Sequence, residues 1–416
     1  MAVPEKEELS PDIMLAFYKR LYPFNSIFNW LNQDLVASRL FTHREFAFTL
    51  ANDAYLRYQS FNNAADMKKQ VLSMNPTRFE IGPVYTAKPR DRKLIRPGAF
   101  TPQLRELVFD IDMTDYDPIR TCCSGADICR RCWGFITAAV KVIDAAIRDQ
   151  YGFEHLLWVY SGRRGIHLWI SDTEALELTD EQRKAITNWM SVVPHGNESG
   201  KKVNVRYGAR ALPACLKDAV DQLKGIFAEL VLEDQDCFGS EDGFEALLKL
   251  IPDSSIAAAL GELWSNDPSR PSADKWDDIK KQMKKYERNS MPRTVMTNAL
   301  EDIVLQYTYP RLDAEVSKRR NHLLKAPFCI HPKTGRVCVP VDPSEIDSFD
   351  PMSVPTVQQL LRELDEAGAA PANEKEHDWE KTSLKLYVDM LDKHNAGVMA
   401  QRPRGKKRGA EDDLSW

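Results

Sequence analysis

The chain has 416 residues, 43% of them hydrophobic and 28% charged, with a net charge of −5. That length exceeds one ordinary core and predicts two or three domains of a soluble globular protein. No apolar run approaches the ~20 residues of a membrane span, so no membrane partner is expected, and the acidic balance excludes a uniformly basic nucleic-acid-binding domain.

The acidic start, Met1 to Glu8, lacks the basic head and apolar stretch of a signal peptide, which predicts a cytosolic or nuclear protein. Eight cysteines in such a compartment point to metal ligands rather than disulfides. The spacing of Met14, Leu15, Tyr18 and Leu21 predicts a first helix starting at Pro11. A mixed region follows and ends in a basic loop with Lys88, Arg90, Arg92, Lys93 and Arg96.

Residues 107–113 alternate as a strand does. Leu107, Phe109, Ile111 and Met113 share one face; Val108, Asp110 and Asp112 share the other. Carboxylates two apart lie roughly 6.5–7 Å apart along a strand and can lean together over metals roughly 3.5–4 Å apart. The same spacing fits a solvated surface pair, and Asp115 and Asp117, which repeat it, are expected in a turn. Cys122, Cys123, Cys129 and Cys132 follow. Four thiolates with one C-x-x-C pair make a closed, structural zinc site. Cys215, Cys237, Cys329 and Cys338 receive no role.

From Arg131 to Gln150 the pattern is helical, with Ile136, Val140, Ile143 and Ile147 on one face and Gly152 as the stop. Two apolar strands then flank Ser161-Gly162-Arg163-Arg164-Gly165 as a hairpin. Its glycines permit close backbone approach, its arginines suit phosphate, and His167 points away from the face of Ile166 and Leu168. An ordinary hairpin with solvated arginines has the same pattern. From Glu174 to Arg288 strands give way to helices, broken by a loop over 265–272. Strands are expected again at Ile303-Val304-Leu305 and Val337-Cys338-Val339.

The span from Val316 to Val341 has no acidic residue but carries Lys318, Arg319, Arg320, His322, Lys325, His331, Lys333 and Arg336. A surface facing phosphates would explain it. Asp313, just before it, is either a third metal carboxylate or the partner of Arg311. The stretch from Ala367 to Trp379 reads as a linker. The basic tail Arg402 to Arg408 reads as disordered and as a nuclear-localisation candidate.

These blocks together resemble the small, catalytic subunit of eukaryotic-type DNA primase. In order they are Arg44-Glu45-Phe46, Arg57-Tyr58-Gln59-Ser60-Phe61, Phe109-Asp110-Ile111-Asp112-Met113, the four cysteines, and Tyr160-Ser161-Gly162-Arg163-Arg164-Gly165 with His167. Pro310-Arg311-Leu312-Asp313, Asn321-His322-Leu323-Leu324-Lys325 and His331-Pro332-Lys333-Thr334-Gly335-Arg336 complete them. The resemblance implies a mixed α/β (α+β) primase-like catalytic core over residues 1–190 and 290–365. It would contain a zinc knuckle at 122–132 and carry an inserted helical subdomain at 191–289. A linker, short helix and basic tail would occupy 366–416.

The implied activity is two-metal synthesis of short RNA primers from ribonucleoside triphosphates on single-stranded DNA. Asp110, Asp112 and Asp313 would bind magnesium or manganese, and the cysteines zinc. Glu45, Arg57, Ser161, Gly162, Arg163, Arg164, His167, His322, Lys325 and His331 would form the nucleotide site. Implied partners are a large primase subunit with an iron–sulfur cluster and the DNA polymerase alpha complex, in the nucleus. Rival readings are a repair or damage-tolerance primase-polymerase and a zinc-containing, non-catalytic scaffold of a replication complex. A polymerase with a Gly-Ser motif fits less well, because Ala99 follows Gly98. An Asp-x-Asp glycosyltransferase lacks the expected lumenal anchor.

Overall fold

The computed structural model describes residues 9–96, 98–193, 203, 205–206, 211–286, 293–368 and 377–401. Helix α1 (Pro11–Arg20) starts where the Ser10 hydroxyl accepts from the Ile13 N–H, and it buries Met14, Phe17 and Tyr18. Helices α2 (Phe24–Asn32) and α3 (Arg39–Thr42) lead into strands β1 (Arg44–Thr49) and β2 (Tyr55–Gln59). Helix α4 (Ala64–Met74) then leads to β3 (Arg78–Tyr85), and the basic loop becomes a 3₁₀ turn over Pro89–Leu94 before β4 (Pro102–Leu104).

Strand β5 (Leu107–Asp112) has the expected faces. Leu107, Phe109 and Ile111 are fully buried, whereas Asp110 and Asp112 stay partly open. Helix α5 (Arg130–Tyr151) stops at Gly152, whose φ of 70° suits a residue without a Cβ. The expected face of Ile136, Val140, Ile143 and Ile147 is fully buried. Strands β6 (Leu156–Tyr160) and β7 (Gly165–Ile170) form the hairpin.

Past β7 the described elements are helical until residue 323: α6 (Thr173–Glu177), α7 (Asp180–Met190), α8 (Ala214–Ile226), α9 (Glu241–Leu248), α10 (Ser254–Ser265), α11 (Ser272–Tyr286), α12 (Arg293–Thr308) and α13 (Ala314–Lys318). A π-helical stretch, Phe227–Asp234, continues α8. Strands β8 (Leu324–Lys325) and β9 (Pro340–Val341) follow, then helices α14 (Val357–Glu366) and α15 (Lys385–Gln401).

Two sheets result, with every pairing antiparallel. The first runs β2-β1-β3-β4, with β8 also on β3; the second runs β5-β7-β6-β9. The class is thus mixed, with α and β elements and, among the described residues, no parallel pair. Where the chain crosses between the sheets it buries Arg105 and Glu106. Both carboxylate oxygens of Glu106 take hydrogen bonds from the Arg44 guanidinium at 2.8 and 2.9 Å. Such a two-point fork is directional and clamps the crossing in place.

Three expectations need correction. Ile303-Val304-Leu305 lies inside α12, not in a strand. A short apolar run is equally the buried stripe of a helix, and the polar side of α12 meets Arg206, which reaches Glu301 and Asp302. Val337-Cys338-Val339 forms only an isolated bridge, Val337 to Ile330, and the strand begins at Pro340. The helix expected to be short after 366 has 17 residues and buries Val388, Leu391 and Val398. Its Asn395 side chain donates to the Ser26 carbonyl at 2.9 Å, fixing it to α2. Most of the linker expected between Ala367 and Trp379, and the basic tail, lie outside the described residues.

Candidate active site

The β5–β7 register sets the centre of the site. Asp110 faces His167 and Asp112 faces Gly165. Paired residues of an antiparallel ladder share a face, so the carboxylates and His167 look the same way. His167 Nε2 lies 3.5 Å from Asp110 Oδ1. Asp313 caps α13, its side chain accepting from the Glu315 N–H at 3.0 Å, while its own N–H donates to the Asp110 carbonyl at 3.0 Å. The Ser317 hydroxyl donates to the Val108 carbonyl and holds α13 to the strand. The alternative for Asp313, a partner for Arg311, is not taken up. Arg311 donates to the Asp115 carbonyl at 2.7 Å and lies over the Tyr116 ring.

The electrostatics follow from crowding. Burial first, then the charges of Asp112 and Asp313, push the Asp110 carboxyl up to about 7. Lys325 opposes that rise. The Arg164 Nε–H is shared between the two oxygens of Asp112, at 2.8 and 3.0 Å, and Asp112 also accepts from the Thr114 N–H and hydroxyl. Burial, then Lys325, pushes His167 down to about 3, so its ring is neutral; its buried Nδ1 has no hydrogen-bond partner. Three carboxylates against Arg164 and Lys325 leave an excess of negative charge, and hard oxygen donors of this kind suit magnesium or manganese.

The basic groups gather beside this centre. Lys325 Nζ donates to the Ser161 carbonyl at 2.5 Å, joining β8 of the first sheet to the hairpin of the second. The Ser161 hydroxyl accepts from the Gly165 N–H at 3.0 Å, closing the turn. Gly162 has φ 86°, and a Cβ there would sit 2.7 Å from His331 Cβ. Burial, then Lys325, Arg163 and Arg164, pushes His331 down to about 3. Its Nδ1 accepts from the Lys333 N–H at 3.2 Å, which leaves the proton on Nε2. No described carboxylate pairs with Arg163 or Lys325.

Glu45 and Arg57 form an ion pair at 2.8 Å, and Arg57 reaches the Asn321 carbonyl at 3.4 Å. His322, next in sequence, is exposed, and no described side chain ties it to the carboxylates. The acid-free span is therefore divided. Lys318 pairs with Glu315 and Arg320 with Asp180, whereas Lys325 and His331 turn inward. Sequence reasoning missed several supports. The Thr334 hydroxyl holds the Gly162 carbonyl at 2.6 Å, Tyr85 donates to Glu45 at 3.0 Å, and Cys338 donates to the Ser161 carbonyl at 3.2 Å. Thr334 lies inside a block that resembles the family; nothing in the sequence marks Tyr85 or Cys338.

The Cys122, Cys123, Cys129 and Cys132 sulfurs all lie within 4.8 Å of one another. Tetrahedral zinc with bonds of about 2.3 Å needs sulfurs about 3.8 Å apart, and Cys129 lies 3.5 Å from Cys122 and 3.9 Å from Cys132. Arg120 and Gln235 donate to the Cys132 and Cys122 sulfurs, at 3.7 and 3.4 Å. Donors aimed at sulfur are what a thiolate–metal site requires around it.

Residues 109–343 match the family model described as DNA primase small subunit. The Schizosaccharomyces pombe DNA primase small subunit is 51% identical over 354 residues, covering 85% of this chain and 78% of its own. That of Saccharomyces cerevisiae is 39% identical over 406 residues, covering 96% and 95%. That of Drosophila melanogaster is 41% identical over 366 residues, covering 86% and 82%.

Proposed function

We propose a division of labour among the site residues of a chain that belongs to the DNA primase small subunit family and is therefore a primer-synthesising catalytic subunit, a nucleotidyltransferase. Asp110, Asp112 and Asp313 hold two divalent cations, magnesium or manganese. Bound there, such ions activate a 3′-hydroxyl and neutralise the triphosphate and departing pyrophosphate. The observation that carries this reading is the Asp313 N–H on the Asp110 carbonyl, which sets a third carboxylate against the strand pair.

Ser161, Gly162, Arg163, Arg164 and Lys325 grip the phosphates of a ribonucleoside triphosphate. Gly162 lets the turn approach, and the guanidinium forks match phosphate oxygens. Arg164, whose Nε–H reaches Asp112 here, would be free to turn to phosphate with that carboxylate on a cation. Neutral His331 donates from Nε2 to a phosphate oxygen, and neutral His167 orients Asp110. Glu45, Arg57 and His322 form the outer part of the nucleotide site. The cationic and N–H donor groups among these stabilise negative charge that grows on the transferring phosphate, and Glu45 positions Arg57.

The cysteine cluster binds zinc as a structural knuckle, and 191–289 acts as an inserted helical subdomain. A small subunit implies a heterodimer with a large one. We assign to that partner an iron–sulfur cluster, to the pair a place in the DNA polymerase alpha complex, and to the whole a nuclear location. Among the described residues no helix is long and apolar enough to cross a membrane.

The test is primer synthesis by purified protein on a single-stranded homopolymer template, with labelled ribonucleotides and magnesium or manganese. Short RNA is expected from the wild type and none from Asp110→Ala/Asp112→Ala. Failure of the wild type, even with a pre-made primer and the large subunit, would leave the scaffold reading.

A further inference from the structure

The basic segment after β3 is left over once the phosphate grip is placed. Lys88 and Arg90 are engaged by Asn62, at 3.3 and 3.1 Å. Arg92, Lys93 and Arg96 are exposed, and no described carboxylate pairs with them. Unpaired cations on a protein of net charge −5 carry a local field opposite to that of the whole molecule.

The segment also has an aromatic floor. The Arg92 guanidinium lies 3.9 Å from the Tyr58 ring centroid. Tyr58 meets Phe100 edge-on at 6.0 Å, and Phe100 stacks on Tyr85 at 4.1 Å. A guanidinium laid on a ring is preorganised, and its in-plane N–H groups stay open to phosphate. Leu94 beside it is 87% exposed.

Tyr58 is held in a strained conformation to make this floor. Its φ is 64°, costly for an aromatic residue, at a bulge where the β1–β2 register shifts between Phe46 and Phe48. Its N–H donates to Glu45 at 3.2 Å, the carboxylate that also takes Arg57 and Tyr85. The bulge therefore ties the floor to the outer nucleotide site. Strain of this kind persists where the surroundings over-determine it, and it points to use.

We propose that Arg92, Lys93 and Arg96, around Tyr58 and Leu94, form the surface on which the single-stranded template lands. Backbone phosphates meet the cations, and an unpaired base lies against the Arg92–Tyr58 stack or Leu94. Cations interleaved with aromatic and apolar groups suit a strand whose bases are free, whereas a duplex hides them. The assignment rests on the primase reading, in which the template is the first long strand present, before any primer exists.

The test is Arg92→Gln/Lys93→Gln/Arg96→Gln in the full chain, with two readouts. The first is the salt dependence of binding to a fluorescent oligothymidylate, and the second is the KM for template and for nucleotide in primer synthesis. Each cation withdrawn from a phosphate lowers the log–log salt slope by about 0.7, so withdrawing all three predicts a drop of about 2. Template KM should rise roughly tenfold or more, with nucleotide KM and kcat at saturating template unchanged. An unchanged slope and template KM, a rise in nucleotide KM instead, or an equal fall in slope on a blunt duplex would each overturn the proposal. An inactive wild type would defeat the primase reading alone, because the binding slope still decides the surface.

Discussion

A shift in pH from about 8 to about 6 should weaken divalent-cation binding roughly tenfold. Asp110, raised to about 7 by burial and by Asp112 and Asp313, is about one-tenth protonated at the upper pH and about nine-tenths at the lower. A cation must displace that proton, and the ratio of ionised fractions is about ten. An ordinary aspartate, near 3.9, would stay ionised throughout and give a ratio near one. His167, lowered to about 3, does not titrate in this window. The assay is manganese titration followed by the electron paramagnetic resonance of the free ion, on wild type and Asp110→Asn, with divalent ions removed by dialysis to spare the cysteine cluster. Equal affinity at both pH values would refute the reasoning. Stability follows with the opposite sign. The folded, metal-free protein holds the proton up to about pH 7, whereas the unfolded chain releases it near 3.9. This contribution is complete below about pH 4 and is lost as pH rises through 7. Three pH units would be worth about 4 kcal/mol, and a side chain 27% exposed to water should retain about 1–2 kcal/mol of it.

Gly162→Ala forces a Cβ against His331 and the Arg336 carbonyl at positive φ, at a cost of about 1–3 kcal/mol; nucleotide KM should rise while zinc content holds. Glu106→Gln leaves Arg44 and Arg105 buried without their carboxylate, and urea unfolding should show a loss of about 3–5 kcal/mol. Cys129→Ser should lower bound zinc and the melting temperature, with kcat per folded molecule little changed; full zinc occupancy in the variant would contradict the knuckle.

Local pattern and tertiary context divided the fold between them. The alternation over 107–112 and the stripe of α5 were legible because each buries one face of a regular element. The helical state of Ile303 to Leu305 was not, because three apolar residues carry no period. What decides it is the acidic face opposite, gripped by Arg206 from far along the chain. The length of α15 was hidden for a related reason. Val388, Leu391 and Val398 mark its buried face, but its anchors, Asn395 to Ser26 and His394 to Ser171, are polar contacts that no hydrophobic count detects.

The candidate site shows the same divide within single residues. Asp110 and Asp112 could be read from one strand, but the placement of Asp313 beside them could not. Its neighbour Arg311 was an equally good local partner until the fold gave Arg311 to the Asp115 carbonyl and the Tyr116 ring. The acid-free span predicted a phosphate-facing surface, yet Lys318 and Arg320 found carboxylates outside it, at Glu315 and Asp180. Only the part carrying Lys325 and His331 is turned inward, because the β3–β8 pairing, Glu80 with Lys325 and Ile81 with Leu324, fixes its register. A charge count over a sequence therefore bounds where phosphate can be met. The pairing of two residues in β8 decides which of those charges lies beside the Asp110 carboxylate.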